Sequence, residues 1–266
     1  MTLAATTSVL GLSAAAIWGA ADFSGGIAAR HLRVFWLLAI SHAFSLVCLL
    51  LLANGLHQQR PDTHILTLGL WSGIAGGIAL LTFYHALSLG EMGTTAAISG
   101  LLTATLPVVF TLATIGSPSR RQLAGFGLAA AAIWLISTQP GTRRNTTHNE
   151  RKRIVLAVIS GLGFGIFLIF LRQANSGGLL WPLAASRVGS LALAVGGGLI
   201  FSHHQFTVNA ATESPSSSPH VPGLRAQWKI GIALTILASA CDTGGNFLFI
   251  AATRIGRLDI AAVLSS

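Results

Sequence analysis

Of 266 residues only 9% are charged and 52% are apolar, and the mean hydropathy is +0.70; a soluble domain carries about 25% charge, so a water-soluble globule is the poorer reading. The formal net charge of +9 does not mark a nucleic-acid binder. Its Lys and Arg residues stand in short runs between apolar stretches, as Arg143, Arg144, Arg151, Lys152 and Arg153 do, which is where membrane proteins hold their topology-setting charges.

A bilayer crossing takes about 20 apolar residues. Such runs fall at about 9–29, 34–53, 65–89, 92–116, 121–139, 154–174, 179–201 and 229–253, and a ninth begins near Leu258. The first has no Lys or Arg before it and continues to Ala29, so it reads as a retained helix and not as a signal peptide. Only helices or closed barrels satisfy their backbone groups in lipid, and no strand-like alternation is present. The expected fold is therefore an all-α, polytopic transmembrane helix bundle. Most connections are short and polar. Two are longer: a basic linker at 140–153, and a Ser/Pro-rich loop at 202–227 that reads as disordered. Cys48 and Cys241 both lie in apolar runs and read as packing residues, because a disulfide framework or zinc site needs more ligands in suitable spacing.

The chain matches itself. A shift of 145 lays Trp36, Leu38, Ala39, Ser41, Ser45 and Leu46 on Trp181, Leu183, Ala184, Ser186, Ser190 and Leu191, with His42 on Arg187. A shift of 166 lays Phe83, Ala86, Gly90, Ala96 and Ser99 on Phe249, Ala252, Gly256, Ala262 and Ser265, the difference being absorbed by the Ser/Pro-rich loop. The organisation expected is a first repeat at 1–139 with five helices, the linker at 140–153, and a second repeat at 154–266. Five is an odd number, so the copies enter the membrane from opposite sides, a common build for secondary transporters with a site near the midplane. Pro107 should pair with position 273, beyond Ser266. The second repeat is thus expected to be truncated after three helices and the start of a fourth.

The run Trp18-Gly-Ala-Ala-Asp-Phe-Ser-Gly-Gly resembles the first helix of EamA-type carriers in the drug/metabolite transporter superfamily. So do Tyr84-His-Ala-Leu-Ser-Leu-Gly and the Ala-rich stretch ending in Leu106-Pro107, while Asp242-Thr-Gly-Gly-Asn-Phe-Leu-Phe-Ile-Ala-Ala and Val263-Leu-Ser-Ser look like the second repeat of that family. The resemblance covers nearly the whole chain. It implies two inverted five-helix repeats around a central cavity, and a secondary transporter that exports a small metabolite or drug by proton coupling or exchange. It also implies a multi-pass protein of the cell (inner or plasma) membrane.

An ionisable residue in a spanning helix costs about 2.5–3.5 kcal/mol on insertion scales and is a functional candidate by default. Asp22, His42, Arg187 and Asp242 qualify, and Asn246 lies one turn after Asp242 on the same face. Depth along the spans pairs Asp22 with His42 towards one face and Asp242 with Arg187 towards the other. A carboxylate balanced between desolvation and a neighbouring cation is suited to exchanging a proton; a hydrogen-bonded polar clamp between helices is the plainer alternative. Tyr84 reads as an interfacial anchor or pathway residue. Gly76-Gly77 and Gly244-Gly245 read as close-packing points, and Pro107 as a helix kink.

No zinc-protease, nucleophile-elbow or phosphate-loop motif is present, so an enzyme is not expected, and no cofactor or metal is called for. The expected partners are the lipid bilayer, a small-molecule substrate and protons, with no nucleic acid; a homodimer stays open. Short-loop Lys and Arg number six on the N-terminal side and nine on the other, which favours an external N-terminus, whereas the family arrangement puts it inside. A truncated, non-transporting membrane protein and an uptake permease of the same fold remain the alternatives.

Overall fold

The computed structural model describes residues 3–90, 92–114, 116, 124–125, 127–128, 131, 135, 147–200 and 224–266. Among them the chain forms eight α-helices and no strand. These are α1 (Leu3–Ala28), α2 (Val34–Gly55), α3 (Thr63–Ser88), α4 (Met92–Thr114), α5 (Thr147–Ala174), α6 (Leu180–Ile200), α7 (Leu224–Ile255) and α8 (Leu258–Ser265), with a 3-10 turn at Asn175–Gly177. The span expected at 121–139 has six isolated helical positions among the described residues. Residues 136–146 of that span and the linker, and 202–223 of the Ser/Pro-rich loop, lie outside them.

Six helices, α2 to α7, are long and apolar enough to cross a membrane. At a rise of about 1.5 Å per residue, 22 residues extend roughly 33 Å, which covers the roughly 30 Å hydrocarbon layer; α2, with 22 residues, has that length. Helix α1 is as long as α3, 26 residues. Large apolar side chains point outward from these helices, among them Trp36 (61%), Leu51 (69%) and Leu199 (72%). In water such a surface marks an interface or an aggregation hazard; against acyl chains it costs nothing. This is the surface of a multi-pass membrane protein.

Packing inside the bundle is set by small residues. Helix α3 lies between α5 and α6. A Cβ on Gly73 would run into the backbone of Ser186, and one on Gly76 would stand 2.8 Å from the Phe167 ring. On Gly77 it would stand 3.1 Å from Ser190 Cα. Small residues at these steps let two backbones approach where lipid supplies no hydrophobic drive. Ser190 Oγ then reaches across to donate to the Gly73 carbonyl at 2.6 Å. Helix α1 runs antiparallel to α7, with Thr7 against Gly256, Trp18 against Gly245 and Leu32 against Gly231. Helix α2 packs on α6 and α7, α4 on α5, and the short α8 on α1 and α4.

The ends have local causes. Helix α3 gives way to α4 at Gly90, whose φ of 118° lies in the left-handed region that a side chain disfavours. The α5–α6 turn is tied to α7 by Arg254, whose Nε donates to Asn175 Oδ1 at 2.8 Å. Pro107 is buried inside α4, which continues through it to Thr114. Its missing N–H deprives the Thr103 carbonyl of a helical partner.

Candidate functional site

Polar side chains meet where α1, α2, α3, α6 and α7 come together. Arg187, on α6 between Ser186 and the small residues Gly189 and Ser190, is 3% exposed. It ion-pairs through Nη2 with Asp242 Oδ2 of α7 at 2.6 Å. Asp242 keeps 22% side-chain exposure, so one partner is sealed in protein while the other retains an open side. Asn246, one turn on, donates from Nδ2 to the Asp242 carbonyl at 2.8 Å and to its Oδ2 at 3.3 Å. Trp18 of α1 fills the notch over Gly245 and donates from Nε1 to the Asp242 carbonyl at 3.3 Å. Asp242 is therefore held by a cation, an amide and an indole.

Asp22 follows Trp18 by one helical turn, and the antiparallel seam brings it level with Cys241 and Asp242. The charges of Asp22 and Asp242 act on each other. Half-buried Asp22 has no hydrogen bond or ion pair among the described residues. The Tyr84 hydroxyl of α3 lies against Gly25, where a Cβ would collide with it. Only glycine lets this phenol come so near the carboxylate one turn away. Tyr84 senses the charges of Asp22, Asp242 and Arg187. His42 of α2 is 2% exposed and faces the charge of Arg187.

The pairing by depth needs correction. Arg187 and Asp242 do pair, while Asp22 and His42 make no hydrogen bond or ion pair with each other among the described residues; Asp22 feels the charge of Asp242, and His42 that of Arg187. The result is one cluster in place of two pairs at opposite faces. Helix α7 extends from 224 to 255, well beyond the apolar run at 229–253 from which depth was counted. Depth also says nothing about azimuth, and the stripe of Trp18, Asp22 and Gly25 turns towards α7 and α3.

Four buried polar atoms at this junction have no hydrogen-bond partner among the described residues: His42 Nδ1, Arg187 Nε, Asn246 Oδ1 and Arg187 Nη2, the last held only by its ion pair with Asp242. Nearly all buried polar groups in proteins are satisfied, by protein or by water. The guanidinium atoms can only donate, Asn246 Oδ1 can only accept, and the imidazole nitrogen can do either, so polar capacity of both kinds stands unused beside the ion pair. Sequence reasoning passed over the second layer: Ser45 Oγ and Thr243 Oγ1 share a hydrogen bond at 2.8 Å, and Ser239 Oγ donates to the Ser41 carbonyl at 2.6 Å. Both join α2 to α7 beside the cluster. The signal was available, since Ser239, Thr243 and Asn246 recur at helical spacing on the Asp242 side of α7. Among the described residues no group of three or more His, Cys, Asp or Glu is arranged to hold a metal ion.

One solved structure, described only as the crystal structure of a protein, is similar to this chain with a TM-score of 0.59 and 15% identity, over 98% of this chain and 86% of its own. That likeness speaks for the fold alone. No protein-family model and no curated protein matches the chain.

Proposed function

We propose that this chain has the build of a secondary transporter of the EamA type in the drug/metabolite transporter superfamily, two inverted repeats enclosing the polar junction. It moves a small metabolite or drug across the cell membrane, as an exporter driven by proton coupling or exchange.

The observation that carries this reading is the recurrence of contacts under the two shifts found in the sequence. Moving Gly73 forward by 166 and Ser186 back by 145 gives Ser239 and Ser41. Gly73 meets the Ser186 carbonyl, and Ser239 bonds to the Ser41 carbonyl. The neighbouring contact of Gly77 with Ser190 becomes that of Thr243 with Ser45. The contact of Gly163 with Ala79 becomes that of Trp18 with Gly245. Chance alignment of alanines and leucines does not carry inter-helix contacts along with it. An ion pair between apolar helices supports the same reading, because charges in such helices mark ion and substrate pathways.

Transport is tested by expressing the chain in a host that lacks it and profiling the metabolites of the medium. A compound whose efflux depends on the chain, and stops when the proton gradient is dissipated, supports the reading. Identical profiles with and without the chain, together with no proton-driven flux in proteoliposomes, overturn it.

A further inference from the structure

We propose that the end of the bundle carrying the α1–α2 turn and the start of α7 is a docking surface for an anionic phospholipid, and that Arg30, Arg33 and Lys229 hold its phosphodiester headgroup. The assignment goes beyond the carrier reading and requires only that the chain spans a bilayer.

The two ends of the bundle use their cations differently. Where α2 meets α3 and α7 meets α8, most guanidinium groups are engaged within the protein. Arg254 donates to Asn175 Oδ1 at 2.8 Å and to the Asn175 carbonyl at 3.2 Å. Arg257 binds Asp259 at 3.0 Å and reaches the Gly116 carbonyl at 3.4 Å. Arg60 lies 5.0 Å from the centre of the Trp181 ring. Of the cations described at that end, Arg172 alone has no such partner among the described residues. At the opposite end Arg30, Arg33, Arg151, Lys152 and Lys229 are all exposed, and none makes a side-chain hydrogen bond or ion pair among the described residues. The one carboxylate described there is Glu150, at the start of α5. Basic side chains left free at a membrane surface attract anionic headgroups.

Packing gathers three of these five cations. A Cβ on Gly231 would stand 3.2 Å from His31 Cβ and 3.0 Å from Leu32 Cγ. The α1–α2 turn therefore rests on α7 two residues beyond Lys229. Leu32 is buried in this contact, while Arg30 and Arg33, which flank it, stay outside. Arg151 and Lys152 belong to the start of α5, beside His85 of α3.

Aromatic rings border the same patch. Trp36, exposed, follows Arg33 by one turn, and Trp228, 54% exposed, precedes Lys229. Tryptophan collects at the boundary between headgroups and acyl chains. Further along α2 the exposed side chains are Phe44, Val47 and Leu51, which face the hydrocarbon. Cations, indoles and aliphatic groups thus succeed one another in the order in which a phospholipid presents phosphate, ester and acyl chain. Guanidinium forks match the phosphate oxygens. A zwitterionic lipid carries its own cation beside the phosphate and has less to gain here than an anionic one.

The test is capture of the tagged full chain from mixed micelles holding equal amounts of phosphatidylglycerol and phosphatidylcholine with the same acyl chains, and quantification of each lipid retained. Phosphatidylglycerol should be retained at least fivefold over phosphatidylcholine. The triple variant Arg30→Gln, Arg33→Gln, Lys229→Gln should bring that ratio down at least threefold, while Arg60→Gln with Arg172→Gln, at the other end, should keep it. Raising salt from about 0.1 M to about 1 M shortens the screening length from about 10 Å to about 3 Å, and should lower the ratio in the wild type but not in the triple variant. Equal retention of the two lipids by the wild type, an undiminished ratio in the triple variant, or an equal loss in the control pair overturns the assignment. Displacement of phosphatidylglycerol by inorganic phosphate at constant ionic strength overturns it too, because the patch would then be a site for a free ion. Should the triple variant fail to fold, the single variants Arg33→Gln and Lys229→Gln decide in its place: each should lower the ratio, and two unchanged ratios sink the proposal.

Discussion

Removing Asp242 should cost more than removing Arg187, and the two losses should not add. In Asp242→Asn the guanidinium of Arg187, 3% exposed, loses its counter-charge at 2.6 Å. Breaking a buried pair by deleting one partner costs about 3–5 kcal/mol, mostly for the charge left behind. Asp242 keeps 22% exposure, so the pair is not fully buried and the loss should fall at or just below that range, about 2–3 kcal/mol. Arg187→Gln leaves a carboxylate that is partly exposed and still bonded to Asn246, so about 1–2 kcal/mol is expected. The double variant removes both members of the ion pair and should recover much of the loss. Its coupling energy should be about 1–3 kcal/mol, the range for residues in one ion-pair network. The assay is reversible unfolding of all four proteins in bicelles by increasing denaturing detergent. Additive losses, with coupling below about 0.5 kcal/mol, would refute the view that this pair organises the junction.

Glycine substitutions should sort by the space each backbone leaves. Gly73→Ala forces apart α3 and α6 at Ser186 and should destabilise by about 1–3 kcal/mol, whereas Gly19→Ala, with nothing within 4 Å, should be neutral or gain up to about 1 kcal/mol of helix propensity; thermal unfolding of both decides, and equal effects would contradict the packing. In a background carrying Cys48→Ala and Cys241→Ala, the pair Ser45→Cys and Thr243→Cys should cross-link under mild oxidation, because their hydroxyls stand 2.8 Å apart and disulfides need Cβ atoms about 3.5–4.5 Å apart. Persistent free thiols on a blocked-cysteine gel would show that α2 and α7 do not meet there. Phe167→Ala empties the notch over Gly76 and should cost about 3–5 kcal/mol. It should also raise the reactivity of a cysteine placed at Ser72, which is 0% exposed, towards a water-soluble thiol reagent; unchanged labelling would mean that Phe167 seals nothing.

What could be read from the chain and what could not divides along one line. An apolar run admits only a helix in lipid, so α2, expected at 34–53, is found at Val34–Gly55, and α6, expected at 179–201, at Leu180–Ile200. Polar ends escape that logic. Helix α5 begins at Thr147 and carries Glu150, Arg151 and Lys152 in helical turns before its apolar run, because a charged turn projecting from the bilayer satisfies its backbone as well as an apolar one does. The candidates Asp22, His42, Arg187 and Asp242 were visible by their cost in a spanning helix. Depth also gave the Arg187–Asp242 pair; it did not give the surroundings of Asp22 and His42, since hydropathy gives depth along a helix while neighbours depend on rotation about it. Trp18 against Gly245, and Tyr84 against Gly25, set that rotation, and both are contacts between residues far apart in sequence.

The two shifts also expose an asymmetry with functional weight. Carried forward by 166 and back by 145, the contact between Gly76 and Phe167 becomes Asp242 and Asp22. At one crossing an aromatic ring lies on a glycine, with Ser72 Oγ donating to the Phe167 carbonyl at 3.2 Å, and the position is closed. Where the proposed repeat puts the equivalent crossing stand two carboxyl groups, one of them unpartnered among the described residues and both only partly exposed. His42 and Arg187 are likewise equivalents that differ in charge. If a repeat were kept only for packing, its equivalent crossings would tend towards the same solution, and Phe167 over Gly76 is the less costly one in lipid. An ionisable pair retained at just one of them costs stability in a spanning helix, and such groups are functional candidates by default.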